Sequence, residues 1–206
     1  MFTGIIQTVG RISSASAINS AKDAGVRLTV LCKPDFLTGA NQNVQIGDSI
    51  AIQGACMTVT TLTADSFTVD VSQESLSKTT GLSENCDVNL EKALSLSTPL
   101  GGHLVTGHID GLGRVANIAQ VGESWQMIIT APQSMGKYFA TKGSACINGV
   151  SLTVNTVTDH AAGCDLSFNL IPHTWQNTTL CKLSLGDAVN VEIDLIARYL
   201  ERMVRR

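Results

Sequence analysis

Nowhere in these 206 residues does an apolar run approach bilayer length, and nowhere do Lys and Arg gather into a block. The first absence excludes a helical membrane span, which takes about 20 consecutive apolar residues. The second, with a formal charge of -3, argues against nucleic acid or an anionic membrane surface as partner, since both demand concentrated positive charge. The first residues carry neither a basic segment nor a long apolar one, so no signal peptide is read and a cytoplasmic location is expected. None of the six cysteines stands in a CxxC, and they do not recur at matching places, which disfavours a disulfide framework or a zinc site. His103, His108, His160 and His173 lack metal-ligand spacing, and no metal is expected. No GxGxxG follows a strand to open a helix, and no phosphate-binding P-loop is present, so nucleotide folds are set aside.

What the sequence does have is itself, twice. Thr3-Gly4-Ile5-Ile6-Gln7-Thr8-Val9-Gly10-Arg11-Ile12 returns as Thr106-Gly107-His108-Ile109-Asp110-Gly111-Leu112-Gly113-Arg114-Val115. Gln53-Gly54-Ala55-Cys56-Met57-Thr58-Val59 returns as Asn148-Gly149-Val150-Ser151-Leu152-Thr153-Val154. Glu74-Ser75 and the following residues echo in His173-Thr174, and Val88-Asn89-Leu90-Glu91 in Val189-Asn190-Val191-Glu192. Four collinear matches mark a duplicated unit of about a hundred residues, a normal domain size. The expected boundaries are 1–97, 98–194 and a tail at 195–206.

The segments 50–52, 57–62, 67–71, 145–147, 152–157 and 187–193 are short, rich in Val, Ile and Thr, and separated by Gly, Asn, Asp and Ser. That pattern predicts an all-β sandwich or small closed barrel in each copy. Short helical pieces are expected after Pro34 and Pro132. In the tail, Leu195/Ile196, Tyr199/Leu200 and Met203/Val204 fall on one helical face, with Arg and Glu opposite. So short a helix is marginal alone and must dock, on its own domain or on another chain.

Differences between the copies point to chemistry. Ile5 in one copy is His108 in the other, and His is the usual proton-transfer group near neutral pH. Cys56 faces Ser151 across the alignment, each followed two places on by a threonine, Thr58 or Thr153, on the same strand face. The plain alternatives are a hydrogen-bonded structural histidine and a buried apolar cysteine.

Together, Met1-Phe2-Thr3-Gly4-Ile5-Ile6, the segment Gly102-His103-Leu104-Val105-Thr106-Gly107-His108-Ile109-Asp110-Gly111, Gly149-Val150-Ser151-Leu152-Thr153-Val154, and Ile171-Pro172-His173-Thr174 through Leu180 resemble the riboflavin synthase family, alpha-chain type, over nearly the whole chain. The resemblance implies two tandem six-stranded Greek-key barrels and a C-terminal helix joining three chains in a homotrimer. It implies the dismutation of two 6,7-dimethyl-8-ribityllumazine molecules to riboflavin and 5-amino-6-ribitylaminouracil, with no metal or organic cofactor. The first pocket would be lined by Phe2, Gly4, Ile5, Ile6, Cys56, Met57, Thr58 and a strand through Asp70, Val71, Ser72, Gln73, Glu74 and Ser75. The second would be lined by Gly107, His108, Ile109, Asn148, Ser151, Leu152, Thr153 and a strand through Asn169, Leu170, Ile171, Pro172, His173 and Thr174, with Lys142 reaching a neighbour's ligand. His108, Ser151 and Thr153 are the expected catalytic groups, and Ser49, Cys56 and Asp194 match further polar positions of the family. Asn148 and Gln53 depart from the usual Asp and Asn, and Asn148 cannot serve as a base. The competing class is a lumazine- or flavin-binding protein of the same fold that holds its ligand without turning it over, as optical antenna proteins do.

Overall fold

The computed structural model describes residues 1–20, 25–39 and 42–204. The first repeat forms β1 (Thr8–Ala17), β2 (Val26–Leu31), α1 (Pro34–Leu37), the two-residue strands β3 (Thr38–Gly39) and β4 (Gln42–Asn43), β5 (Ser49–Ile52), β6 (Ala55–Leu62), β7 (Ser66–Val71), α2 (Gln73–Lys78) and β8 (Asp87–Lys92). The second forms β9 (Gly111–Val121), β10 (Ser124–Ala131), a 3-10 turn (Gln133–Tyr138), β11 (Ser144–Ile147), β12 (Val150–Thr153), β13 (Thr156–His160), β14 (Gly163–Leu170), α3 (Pro172–Asn177), another 3-10 turn (Thr179–Lys182) and β15 (Ala188–Ile193). The helix α4 (Leu195–Val204) follows.

Six antiparallel strands of the first repeat close into a barrel in the order β1-β2-β7-β6-β5-β8. Alternation drives the closure: Phe67, Val69 and Val71 of β7 point inward and are buried, as are Leu28 and Val30 of β2 beside them. The second repeat follows the same plan with one strand cut, giving a curled sheet in the order β12-β11-β15-β9-β10-β14-β13. Its two edges, β12 and β13, are halves of one stretch, the counterpart of β6. At the cut, the Val154 N–H turns back to the Gly143 carbonyl (2.9 Å) while the Asn155 N–H reaches the Ser167 carbonyl (2.7 Å). The expected strand 152–157 is therefore interrupted where it transfers from one neighbour to the other. β6 makes the same transfer through a register irregularity between Val59 and Thr61.

The strands expected through Ser75 and Thr174 end earlier, at Val71 and Leu170, and turn into α2 and α3. Ser72 caps α2 by accepting the Ser75 N–H (3.1 Å), and Pro172 opens α3, where its fixed φ and missing N–H cost nothing.

The two copies meet along a buried polar seam that obeys an approximate twofold relation. Asn89 donates to the Asn148 carbonyl (2.8 Å) and Asn190 to the Gln53 carbonyl (2.9 Å). The Asn89 side-chain carbonyl accepts the Thr179 N–H (2.7 Å), and that of Asn190 accepts the Thr80 N–H (2.7 Å). Asn148, expected on the ligand, is only 1% exposed and belongs to this seam. An amide serves there because it can accept the Asn190 N–H through Oδ1 (2.8 Å) without bringing a charge into the interior.

The tail helix spans the expected residues and docks by its polar side. Arg198 pairs with Asp110 (2.8 Å), and Glu201 takes hydrogen bonds from Lys137 and Tyr138. Ile196, Tyr199, Leu200, Met203 and Val204 face outward, 56% to 80% exposed.

Candidate active site

The segment before each barrel does not stay on its own copy. Glu91, at the end of the first barrel, accepts the Thr3 N–H (2.7 Å), the Thr3 hydroxyl (2.6 Å) and the Gly4 N–H (2.9 Å). Glu192 holds Thr106 and Gly107 in the same way, at 2.6, 2.6 and 3.0 Å. Burial pushes both carboxyls above the usual carboxylate range, and these donors pull them back. From its anchor each segment crosses over. The Gly4 carbonyl accepts the Ser151 N–H (2.8 Å), and the Gly107 carbonyl accepts the Cys56 N–H (2.8 Å). Both glycines sit at left-handed φ (74° and 78°) with no room for a Cβ, which would stand 2.6 Å from Ser151 Cβ and 2.6 Å from Cys56 Cβ respectively. Ile6 packs on the second core and Ile109 on the first.

This exchange corrects the expected pockets. Gly107, His108 and Ile109 line the cavity at the first barrel, and Gly4 and Ile6 lie against the second barrel instead of the first. The first pocket is a cavity of about 430 Å³ lined by Cys56, Met57, Thr58, Asp70, Val71, Ser72, Glu74, Ser75, Gly107, His108 and Ile109, with Ala55, Lys78 and Thr79. That volume suits a bicyclic ligand with a short side chain. Gln73 is not among the lining residues. Ser49 stands opposite Thr58 in the β5–β6 register but lines a separate small cavity with Val44 and Lys92. Phe2, expected on the ligand, is fully buried between the copies, its backbone paired with Val105 (2.7 and 3.0 Å), so it shapes the pockets from behind. Lys142 is an exposed turn residue with φ 68°.

At the second site the symmetry breaks in a useful place. His103 Nδ1 lies 2.7 Å from Ser151 Oγ, and its Nε2 is buried without a hydrogen-bond partner among the described residues. Burial lowers the His103 pKa, while the negative charge of Asp194 works the other way. Burial thus favours the neutral form of this ring beside the Ser151 hydroxyl. Sequence comparison between copies missed His103, because aligning Thr3 on Thr106 leaves no first-copy residue to set against it. Its juxtaposition with Ser151 depends on the crossing segment. So one site offers Cys56, Thr58 and His108, and the other Ser151, Thr153 and His103.

The rims differ as well. Around the first pocket Arg27 grips Asp70 through two 2.7 Å bonds, and Lys78 pairs with Glu74 (2.7 Å). The register puts Gln126 and Asn169 where Arg27 and Asp70 stand, and His173 and Asn177 follow at the places of Glu74 and Lys78. Four formal charges are thus replaced by uncharged amides and an imidazole.

The lumazine binding domain model matches the chain twice, at residues 3–93 and 106–194. A riboflavin synthase of Photobacterium phosphoreum is 40% identical over 206 residues, covering 99% of this chain and 89% of that protein. The chain belongs to the riboflavin synthase family. Riboflavin synthases of Bacillus subtilis (strain 168), 35% identical over 100% of this chain and 91% of theirs, and of Mycobacterium tuberculosis (strain H37Rv), 36% identical over 100% and 98%, agree. Membership in this family makes the protein an enzyme, a transferase of riboflavin synthesis. Among solved structures, LumP complexed with 6,7-dimethyl-8-(1'-D-ribityl) lumazine superposes with a TM-score of 0.78 at 26% identity, over 94% of this chain and 99% of that one. LumP complexed with riboflavin gives 0.80 at 27%, with the same coverage. No helix among the described residues is long and apolar enough to cross a membrane.

Proposed function

We propose that the protein converts two molecules of 6,7-dimethyl-8-ribityllumazine into riboflavin and 5-amino-6-(D-ribitylamino)uracil, one molecule giving a four-carbon unit to the other. The observation that carries this reading is the pair of symmetry-related sites with unequal polar groups. Two copies of one substrate need similar pockets, and their opposite roles need dissimilar chemistry.

Each barrel holds one lumazine, and the reacting pair forms where the first barrel of one chain meets the second barrel of a neighbour in a homotrimer. Within one chain, His108 and Ser151 serve different pockets, so facing pockets of two chains would gather both pairs around two stacked rings. The outward apolar face of α4 supplies the contact that joins the chains. Fixing the rings face to face replaces a bimolecular encounter by a positioned one, worth up to about 7–11 kcal/mol of barrier. A proton then leaves the 7-methyl group of one ring. His108, exposed at the first pocket, is placed to receive it, and the Ser151 and Thr153 hydroxyls are placed to donate hydrogen bonds to the charge that develops on the opposite ring. Thr58 and Cys56 pack against the first ring.

The antenna reading gains weight from the LumP likeness, since those structures hold lumazine and riboflavin. Against it stand the His108 and Ser151-Leu152-Thr153 groups, which ligand holding does not require. Incubation with the lumazine separates the two: an enzyme releases riboflavin, and a carrier returns its ligand unchanged.

A further inference from the structure

The chain has two tryptophans, and they stack on each other at 4.9 Å between ring centres with planes 9° apart. Trp125 comes from β10 and Trp175 from α3, both half-buried against the second core. The first copy has Val26 and Leu76 at the same places. Val26 and Leu76 likewise pack on the first core, but as aliphatic side chains without a ring stack.

Its location gives it a task. The first turn of α2 supplies Ser72, Glu74 and Ser75 to the wall of the first pocket. The matching turn of α3 carries His173 and Thr174 at the equivalent positions, and Trp175 follows at once. α2 is set by a Ser72 cap and by exposed ion pairs, Glu74–Lys78 on the helix and Arg27–Asp70 at its entry. α3 has neither a side-chain cap nor an ion pair among the described residues, and at the places of Glu74 and Lys78 the Asn177 amide donates to the His173 backbone carbonyl (2.8 Å). We infer that Trp175 is a positioning residue: its stack on Trp125 fixes the α3 wall of the second pocket, the task that ion pairs perform for the α2 wall of the first. Ring stacking does not weaken with salt, and exposed ion pairs do. The two binding sites therefore respond to different perturbations. This inference rests on the proposed reading that both pockets take a lumazine or flavin ring.

Riboflavin is the probe for the test, since on its own it lacks the co-product needed for reverse turnover. Both tryptophans lie on the second copy, so tryptophan quenching is weighted to the second pocket, and riboflavin fluorescence reports all sites. In Trp175→Leu, which copies the first repeat, the affinity seen through Trp125 should weaken about two- to tenfold, the range that ring stacking supplies. The other affinity should be unchanged, and Trp175→Phe should restore most of the loss. In wild type, raising salt from 0.05 M to 1 M should weaken the other affinity alone. With lumazine as substrate, KM should rise in Trp175→Leu while kcat at saturation is kept. Equal affinities in Trp175→Leu and wild type would overturn the inference, as would equal weakening at both sites with a fall in melting temperature. A fall in kcat at constant KM would overturn it too. If wild type binds no riboflavin, the proposed function itself falls and takes this inference with it.

Discussion

Replacing Gly4 by alanine adds a single methyl group at the point where the first repeat docks on the second. At φ 74° a Cβ meets its own carbonyl, a strain of about 1–2 kcal/mol for an L residue. The added methyl would also stand 2.6 Å from Ser151 Cβ and 2.7 Å from the Ser151 amide nitrogen, which belongs to β12 and cannot swing away. Relief requires backing the segment off, which breaks the 2.8 Å bond from the Ser151 N–H to the Gly4 carbonyl, about 1 kcal/mol more. The total is about 2–3 kcal/mol, or a fall in melting temperature of about 4–12 °C for a chain of this size. Ligand binding should suffer at the second site, where Ser151 and its contact with His103 would shift. Gly107→Ala should do the same at the first, through Cys56. The assay is a thermal melt beside a riboflavin titration read through tryptophan, whose signal is weighted to the second site. A Gly4→Ala chain that melts and binds as wild type would refute the crossed arrangement, and so would one that lost only first-pocket binding.

Four further outcomes follow from the geometry. His108→Ala should lower turnover by about 100- to 10,000-fold with riboflavin binding largely kept, and an unchanged rate would remove His108 from the chemistry. Phe2→Ala empties a fully buried aromatic site between the copies and should cost about 3–5 kcal/mol, seen as a lowered melt, whereas a stable variant that merely bound less would return Phe2 to the pocket surface. His103 has a pKa lowered by burial, so the unfolded chain takes up its proton first. Stability should fall as pH drops below about 6.5, and His103→Asn should flatten that slope in denaturant titrations. Removing everything after Asp194 deletes the exposed apolar face of α4 and only surface ion pairs to the barrels. Sedimentation should then show folded monomers, and a truncated chain at the full-length mass would refute assembly through the tail.

The duplication, the β architecture and the tail helix were legible because each rests on local signals: matched motifs, alternation within strands, and a 3.6-residue stripe. The strand pair β1–β2 was harder to see, since Ser13, Ser14 and Ser16 put hydroxyls where alternation would show aliphatics. The helices α2 and α3 were hidden by being brief, although the Ser72 cap and Pro172 at a first turn were signs to read. The site was legible by residue type and not by partner. Glu91 and Glu192 repeat in the sequence, but nothing in a linear comparison says that each anchors a segment which then crosses to the other barrel. That crossing decides which histidine meets which hydroxyl. It also separates Asn148 and Phe2, which support the arrangement from the interior, from Cys56, Thr58 and Ser151, which stand at the sites.

In the proposed reaction two lumazines react with each other on this protein. Incubating the purified chain with 6,7-dimethyl-8-ribityllumazine alone, and resolving the mixture by chromatography, tests it without any mutation. Two lumazines should disappear for each riboflavin and each 5-amino-6-ribitylaminouracil that appear, with no added metal or cofactor. Lumazine recovered unchanged from a chain that binds it would refute the proposed reaction and leave a ligand carrier in its place.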